Sequence, residues 1–111
     1  MSAGDWIAVA SSDDLASGQI VDAAHDDELV VWRTAGGVAC VMDARCPHQW
    51  SHLAAEGAVD GDEIICTSHW WRFGTDGTAC RLRTDGTREP QANTTVVPCE
   101  ERDGHIWIQA G

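Results

Sequence analysis

The stretch from Cys46 to His69 constrains this chain more than any other part of it. It reads Cys46-Pro47-His48, then seventeen intervening residues, then Cys66-Thr67-Ser68-His69. A single cysteine is most often a small buried apolar residue, and a single histidine is most often a surface or core side chain. Two segments that each offer one thiol and one imidazole suit either one tetrahedral ion or a centre of two metal ions. We therefore expect an iron or zinc centre whose ligands are Cys46, His48, Cys66 and His69.

This pattern resembles the Rieske [2Fe-2S] family, and in particular the soluble ferredoxin component of Rieske-type oxygenase systems. The resemblance covers essentially the whole chain. It implies one [2Fe-2S] cluster per chain, with Cys46 and Cys66 on the buried iron and His48 and His69 on the outer iron near the surface. Outside the candidate ligands it rests on Leu53, Glu56-Gly57, Val59-Asp60-Gly61-Asp62, Ile64-Ile65, Trp71-Arg72-Phe73 and the Asp76-Gly77 turn.

Two tryptophans stand at positions where many members of the family have Gly or another small residue. Trp50 follows His48 by two residues, and Trp70 follows His69 directly. Strand alternation puts Trp71 and Phe73 on one face and Trp70 on the other, so Trp71 is the better core residue. We expect Trp70 and Trp50 to form an apolar rim where a partner docks beside His48 and His69. The alternative is that both rings are ordinary core.

The reduction potential should be low for this family. In the family that this chain resembles, members with a high reduction potential carry a Ser two residues after the second ligand His. They also carry an additional Cys pair that braces the loops. Here the Ser position is Trp71, and the extra Cys positions are Trp50 or a neighbour and Thr67. Without those groups the reduced cluster is less stabilised, which predicts a potential of about -150 mV.

The length of 111 residues suits one domain, here residues 1–111. Short β-type runs alternate with Gly and Asp turns, which indicates an all-β fold. The resemblance sharpens this to an antiparallel β sandwich or partly open barrel with an inserted cluster-binding subdomain of roughly residues 44–84. The strands expected outside that subdomain are Trp6–Val9, Gln19–Ala23, Glu28–Thr34, Val38–Met42, Thr95–Pro98 and His105–Gln109, and Ala79–Arg83 is expected within it.

The charge and the cysteines bear on partners and on the compartment. A formal net charge of -11, from 18 acidic and 7 basic residues, argues against nucleic acid or an anionic membrane as partner and favours a basic protein surface, although acidity also simply keeps a domain soluble. The sequence has no apolar run of membrane-span length, so we expect a cytoplasmic protein. Cys40, Cys80 and Cys99 show no disulfide spacing, which favours reduced thiols.

The remaining candidates for chemistry are weak. His52 and His105 are expected to be surface residues, and Pro90 is expected in a loop that shields the cluster in the family. No catalytic triad order, phosphate-binding loop or nicotinamide fingerprint is present in the sequence. The chain is therefore expected not to be an enzyme by itself.

We interpret the chain as a Rieske ferredoxin that carries single electrons from an NAD(P)H-dependent reductase to a terminal non-haem iron oxygenase. Two alternatives stay open. The chain could be a Rieske subunit of a larger oxygenase complex, or a redox-sensing or structural zinc module with four Cys and His ligands.

Overall fold

The computed structural model describes residues 6–24, 28–45, 53–67, 71–91 and 93–109. Apart from a 3₁₀ turn at Ser12–Asp14 and a four-residue helix, α1 (Leu53–Glu56), the regular structure of this part is β-strand. The all-β prediction is confirmed. In chain order the strands are β1 (Trp6–Ser11), β2 (Ile20–Asp22), β3 (Leu29–Arg33), β4 (Ala39–Asp43), β5 (Gly57–Asp60), β6 (Glu63–Cys66), β7 (Trp71–Phe73), β8 (Ala79–Leu82), β9 (Arg88–Gln91), β10 (Val96–Val97), β11 (Cys99–Arg102) and β12 (His105–Gln109).

The strands form three antiparallel sheets. The first has the order β1-β12-β11, the second β10-β4-β3-β2, and the third β5-β6-β7-β8-β9. The third sheet is an insertion in the chain, because β4 pairs directly with β10 through Val41 opposite Val97. The predicted β fold with an inserted subdomain is thus confirmed as an architecture, whereas the predicted limits of residues 44–84 stay a prediction.

The second sheet is the middle layer, because it is apolar on both faces. Along β3 the residues from Leu29 to Trp32 are all buried. Val30 and Trp32 pack towards the five-stranded sheet, while Leu29 and Val31 pack towards the three-stranded sheet. A strand covered on both sides reads as a continuous apolar run, which explains why this stretch shows no polar alternation.

Two hydrophobic clusters hold the three layers together. The insert cluster joins the middle sheet to the five-stranded sheet, and the base cluster joins it to the three-stranded sheet. The buried residues of the insert cluster are Val30, Trp32, Cys40, Met42, Ala44, Leu53, Ile64, Cys66, Trp71, Phe73 and Ala79. The buried residues of the base cluster are Val9, Leu15, Ala23, Leu29, Val31, Val41, Ile106 and Ile108.

Four strands were not predicted from the sequence, and one prediction was wrong. β5 and β6 lie between the candidate ligand pairs, where the sequence shows a family pattern but no strand was predicted. β11 is a polar, mostly exposed run, so apolar alternation gives no signal for it. β9 contains Pro90, which was expected in a loop; it instead pairs with Cys80. β9 lies at the edge of its sheet, where a residue without a backbone N–H is tolerated because one side of the strand has no neighbour.

The turns between the strands contain glycines, as the alternation of β-type runs with Gly turns predicts. Gly77, in the hairpin between β7 and β8, has a φ of 85° that an L side chain rarely adopts. Its carbonyl accepts a hydrogen bond of 3.0 Å from the Thr94 amide. This bond joins the hairpin of the insert to the segment that precedes β10. None of the helices in the described ranges has the length and apolar character needed to cross a bilayer.

Candidate metal centre

Cys66 is the candidate ligand that the structure describes. It is the last residue of β6, has no solvent exposure, and pairs with Gly57 of β5 on one side and Trp71 of β7 on the other. It carries a free thiol. A buried cysteine fixed at the end of a central strand of its sheet is held rigidly enough to serve as a thiolate ligand.

The other candidate ligands, Cys46, His48 and His69, lie outside the described residues, as do Trp50, Trp70 and His52. The ligand set as a whole therefore stays a prediction. The described ranges contain no group of three Cys, His, Asp or Glu side chains arranged to hold a metal ion.

The two ends of the first ligand segment are fixed beside the core that contains Cys66. The Leu53 amide donates a hydrogen bond of 2.7 Å to the Ala44 carbonyl, and the Ala44 amide donates one of 2.8 Å to the Glu28 carbonyl. Ala44 and Leu53 have no solvent exposure and belong to the same insert cluster as Cys66. Ala44 and Leu53, which flank Cys46 and His48 in the sequence, therefore lie together beside this core.

The strand after the second ligand segment has the predicted alternation. Trp71 is 6% exposed and Phe73 is fully buried, and both lie in the insert cluster. Arg72 lies on the opposite face. The prediction that Trp71 is a core residue is thus confirmed, and the position two residues after His69 offers an indole and not a hydroxyl.

Arg72 is the centre of an ion-pair network on the outer face of the five-stranded sheet. Its guanidinium donates to Asp60 at 2.6 Å and to Glu63 at 2.8 Å. Arg88 donates to the same Glu63 carboxylate at 2.8 Å. The bond from Arg88 is the largest cause that lowers the pKa of Glu63, and Arg72 lowers it further against the opposing effect of desolvation. The network keeps Glu63 charged and ties β5, β6, β7 and β9 together.

Two of the other described cysteines, Cys40 and Cys99, are poor metal ligands. Burial, assisted by the nearby Cys99, raises the pKa of the Cys40 thiol to about 11, and burial also raises the pKa of Cys99. Thiols with raised pKa values stay protonated at neutral pH and are unreactive. Cys80 lies on the outer face, where its sulfur is 3.3 Å from an Arg88 nitrogen. His105, predicted as a surface residue, is exposed and contacts Trp107 edge-on at 5.9 Å.

The described residues fit one side of an iron–sulfur site through the chemistry of Cys66, a buried free thiol, and through the apolar surroundings of the insert cluster. Two features of this region were not predicted from the sequence: the network around Arg72, and a close contact between Gly57 and Leu53. The first could have been suspected from opposite charges on neighbouring strands. For the contact between Gly57 and Leu53, the sequence offers no indication except the glycine itself.

Comparisons with known proteins agree with this geometry. The chain is 36% identical over 104 residues to the cholesterol 7-desaturase nvd of Bombyx mori, covering 93% of this chain and 23% of that protein. The fold matches the Sphingomonas yanoikuyae B1 ferredoxin with a TM-score of 0.76 at 22% identity, over 96% of this chain and 100% of that one. It also matches a chain in the complex of reduced oxygenase and oxidised ferredoxin in carbazole 1,9a-dioxygenase, with a TM-score of 0.70 at 25% identity, over 94% and 92% of the two chains.

These matches differ in what they cover. The chain spans about a quarter of the length of the curated relatives that it matches over most of its own length. The sequence profile of the Rieske [2Fe-2S] domain matches residues 5–98, which include all four candidate ligands. The domain of this profile binds a [2Fe-2S] cluster and is an electron-transfer module. The chain therefore belongs to the Rieske [2Fe-2S] domain family.

Proposed function

We propose that this chain is a Rieske ferredoxin that carries single electrons from an NAD(P)H-dependent reductase to a terminal non-haem iron oxygenase and does no substrate chemistry itself. The observation that carries the proposal is the placement of Cys66, a fully buried free thiol at the end of a strand in the inserted sheet. The likeness to a chain in the complex of reduced oxygenase and oxidised ferredoxin in carbazole 1,9a-dioxygenase, at 25% identity, supports an electron-transfer role.

In this proposal Cys46 and Cys66 hold one iron of the cluster, and His48 and His69 hold the other. The cluster supplies one-electron oxidation and reduction. The chain's own contribution is to hold the ligands in place and exclude water from one side. Cys66 is fixed by strand pairing with Gly57 and Trp71, and the apolar side chains of the insert cluster cover that side.

We further propose that partners dock beside His48 and His69, with Trp50 and Trp70 as the apolar rim. The acidic charge of the chain supports a basic partner surface. Among the described residues, Arg33, Arg72, Arg83, Arg88 and Arg102 already form ion pairs with carboxylates of the same chain. These arginines are thus paired within the chain. The excess of acidic residues, a net charge of -11, can then attract a basic partner.

The cofactor part of the proposal is tested by analysis of the purified protein. We expect iron and acid-labile sulfide in equal amounts and an electron paramagnetic resonance (EPR) signal after reduction with dithionite. The substitution Cys66→Ser should remove the signal, whereas Cys80→Ser should retain it because Cys80 lies on the outer face beside Arg88. A colourless protein with stoichiometric zinc would contradict the proposal and favour the zinc module.

The docking part is tested with Trp70→Ala. We expect slower electron transfer from the reductase and to the oxygenase, with cluster content and melting temperature nearly unchanged. Trp6→Ala is the matched control, because Trp6 is 37% exposed and lies on β1 of the three-stranded sheet. If Trp70→Ala instead strips the cluster or unfolds the domain, Trp70 is a core residue and the rim does not exist.

A Rieske component within a larger oxygenase is the second candidate function. It is favoured by the relatives, because the chain matches about a quarter of the length of the Bombyx desaturase. Stable co-purification with a catalytic iron chain, at fixed stoichiometry and without exchange, would favour this candidate over a diffusing carrier. Turnover by an oxygenase that depends hyperbolically on the concentration of this chain would favour the carrier.

We also propose a cytoplasmic location and a reduction potential of about -150 mV. Cys40, Cys80 and Cys99, which the proposed cluster does not use, form no disulfide with one another, and this supports a reducing compartment. The buried indole of Trp71, at the position where high-potential relatives carry a hydroxyl donor, supports the low potential. A measured potential above about +100 mV would contradict the second part.

A further inference from the structure

Gly57 occupies an unusual place in the insert. It is the first residue of β5, follows α1 directly, and pairs in antiparallel register with Cys66. Its φ is not in the left-handed region, so its backbone conformation is open to any residue. The reason for a glycine here has to be packing.

The packing is tight on two sides. A Cβ at Gly57 would overlap the carbonyl oxygen of Leu53, and it would lie 3.2 Å from the Leu53 carbonyl carbon and 3.0 Å from Cδ1 of Ile20. The Leu53 carbonyl is backbone and cannot rotate away. Any side chain at residue 57 must therefore push α1 off the start of β5.

A displacement of α1 would be felt at the candidate metal centre. Leu53 is the residue whose amide closes the first ligand segment on Ala44 through a bond of 2.7 Å. Gly57 is the strand partner of Cys66. The contact between Gly57 and Leu53 thus joins the segment that contains Cys46 and His48 to the strand that carries Cys66.

We propose that Gly57 is a positioning residue, whose missing side chain sets the spacing between the two ligand segments through its contact with the Leu53 carbonyl. This inference rests on the proposed function, since it assumes that both segments bind one cluster. Gly57 has no side chain that could bind iron, so its effect is indirect.

The test compares three Gly→Ala variants of the whole protein. Gly57→Ala should alter the EPR spectrum of the reduced protein, shift its reduction potential and speed iron loss to a chelator about tenfold. Gly36→Ala is the neutral control, because its Cβ would come no closer than 3.8 Å to any neighbour. Gly77→Ala is the control for strain. Gly77 has a φ of 85°, and a Cβ there would lie 2.5 Å from the Thr94 carbonyl oxygen. Its turn follows the end of β7 that is opposite to Trp71.

We expect Gly77→Ala to lower the melting temperature while leaving the EPR spectrum unchanged. The proposal is overturned if Gly57→Ala leaves the spectrum and the potential as in the wild type, whatever its melting temperature. It is also overturned if Gly57→Ala unfolds the entire chain. It is supported if the Gly57→Ala protein keeps its β structure and melts cooperatively but cannot retain iron.

A double variant separates the two contacts of residue 57. Ile20→Val removes Cδ1 and with it the 3.0 Å contact, but leaves the Leu53 carbonyl in place. We expect no rescue of Gly57→Ala by Ile20→Val, and complete rescue would contradict the role of Leu53. Failure of the proposed function would look different, because the wild-type protein would then lack the iron, the sulfide and the EPR signal.

Discussion

The base of the molecule and its insert are stabilised in different ways. In the base, the three-stranded and middle sheets enclose one apolar cluster that includes Val9, Val31 and Ile106. The described part of the insert packs one face on the other side of the middle sheet, while its outer face carries the network around Arg72. In the described residues, the sheet that carries Cys66 therefore relies on one core and a set of ion pairs. We expect cluster retention to respond to changes in the insert more than to equal changes in the base.

The strongest test of this contrast is a pair of core truncations. Phe73→Ala in the insert cluster and Ile106→Ala in the base cluster each remove a fully buried side chain, at a cost of about 3–5 and 2–5 kcal/mol respectively. Phe73→Ala should lose the visible absorbance of the cluster at a lower temperature than it loses its circular dichroism. Ile106→Ala should lose both signals together. Coincident loss in both variants would mean that the base and the insert unfold as one unit.

The next effect concerns the outer face of the insert. Arg72→Met removes hydrogen bonds to Asp60 and Glu63 from a side chain that is only 12% exposed, so we expect a loss of about 1–3 kcal/mol in urea denaturation. Arg83→Met is the control, because its pair with Glu89 is largely exposed. That variant should change stability by less than about 0.5 kcal/mol. Equal effects would show that the network adds nothing beyond surface pairing.

Acid should weaken both regions through different carboxylates. Hydrogen bonds from Arg33 lower the pKa of Glu101 in the base to about 2, and Arg88 and then Arg72 lower that of Glu63 in the insert. A carboxyl with a lowered folded pKa stabilises the protein fully above its unfolded pKa of about 4.3 and loses this contribution as the pH falls through the folded value. Solvent screening limits each contribution to roughly 1 kcal/mol.

Unfolding monitored between pH 5 and pH 2 separates these contributions. Glu101→Gln should flatten the pH dependence of stability from about pH 4.3 down to about 2, since its pair with Arg33 joins β11 to β3. Glu63→Gln should flatten the pH dependence of cluster retention instead. An unchanged pH profile in either variant would remove that carboxylate from the explanation.

The smallest effect is expected on the exposed face of the base. The Arg102 guanidinium lies over the rings of Trp6 at 5.3 Å and Trp107 at 4.8 Å. Exposed cation–π contacts contribute about 0.5–1 kcal/mol, so Arg102→Gln should lower the urea midpoint slightly. Cluster content and reduction potential should not change. A shift of the potential would show that the base and the insert are coupled more closely than the two clusters suggest.

Strand alternation and turn residues were enough to predict much of the fold. Trp71 and Phe73 face the core as alternation requires, and the glycine turns lie where the sequence places them. β9 and β11 were missed because one contains Pro90 and the other is polar, and both are strands only because a neighbour offers them a hydrogen-bonding edge. Strand formation of this kind is decided by long-range pairing and not by local propensity.

The sequence by itself determined the types of the four candidate ligands, their spacing and the Rieske family pattern, because metal chemistry selects particular side chains and short loops. The tertiary structure decided which surfaces meet. It placed Ala44 and Leu53 beside the core of Cys66, covered β3 on both faces, and brought the Leu53 carbonyl onto Gly57. Such contacts join residues that are far apart in the sequence and lie in different layers of the fold. The local pattern of polar and apolar residues does not specify which sheet packs on which.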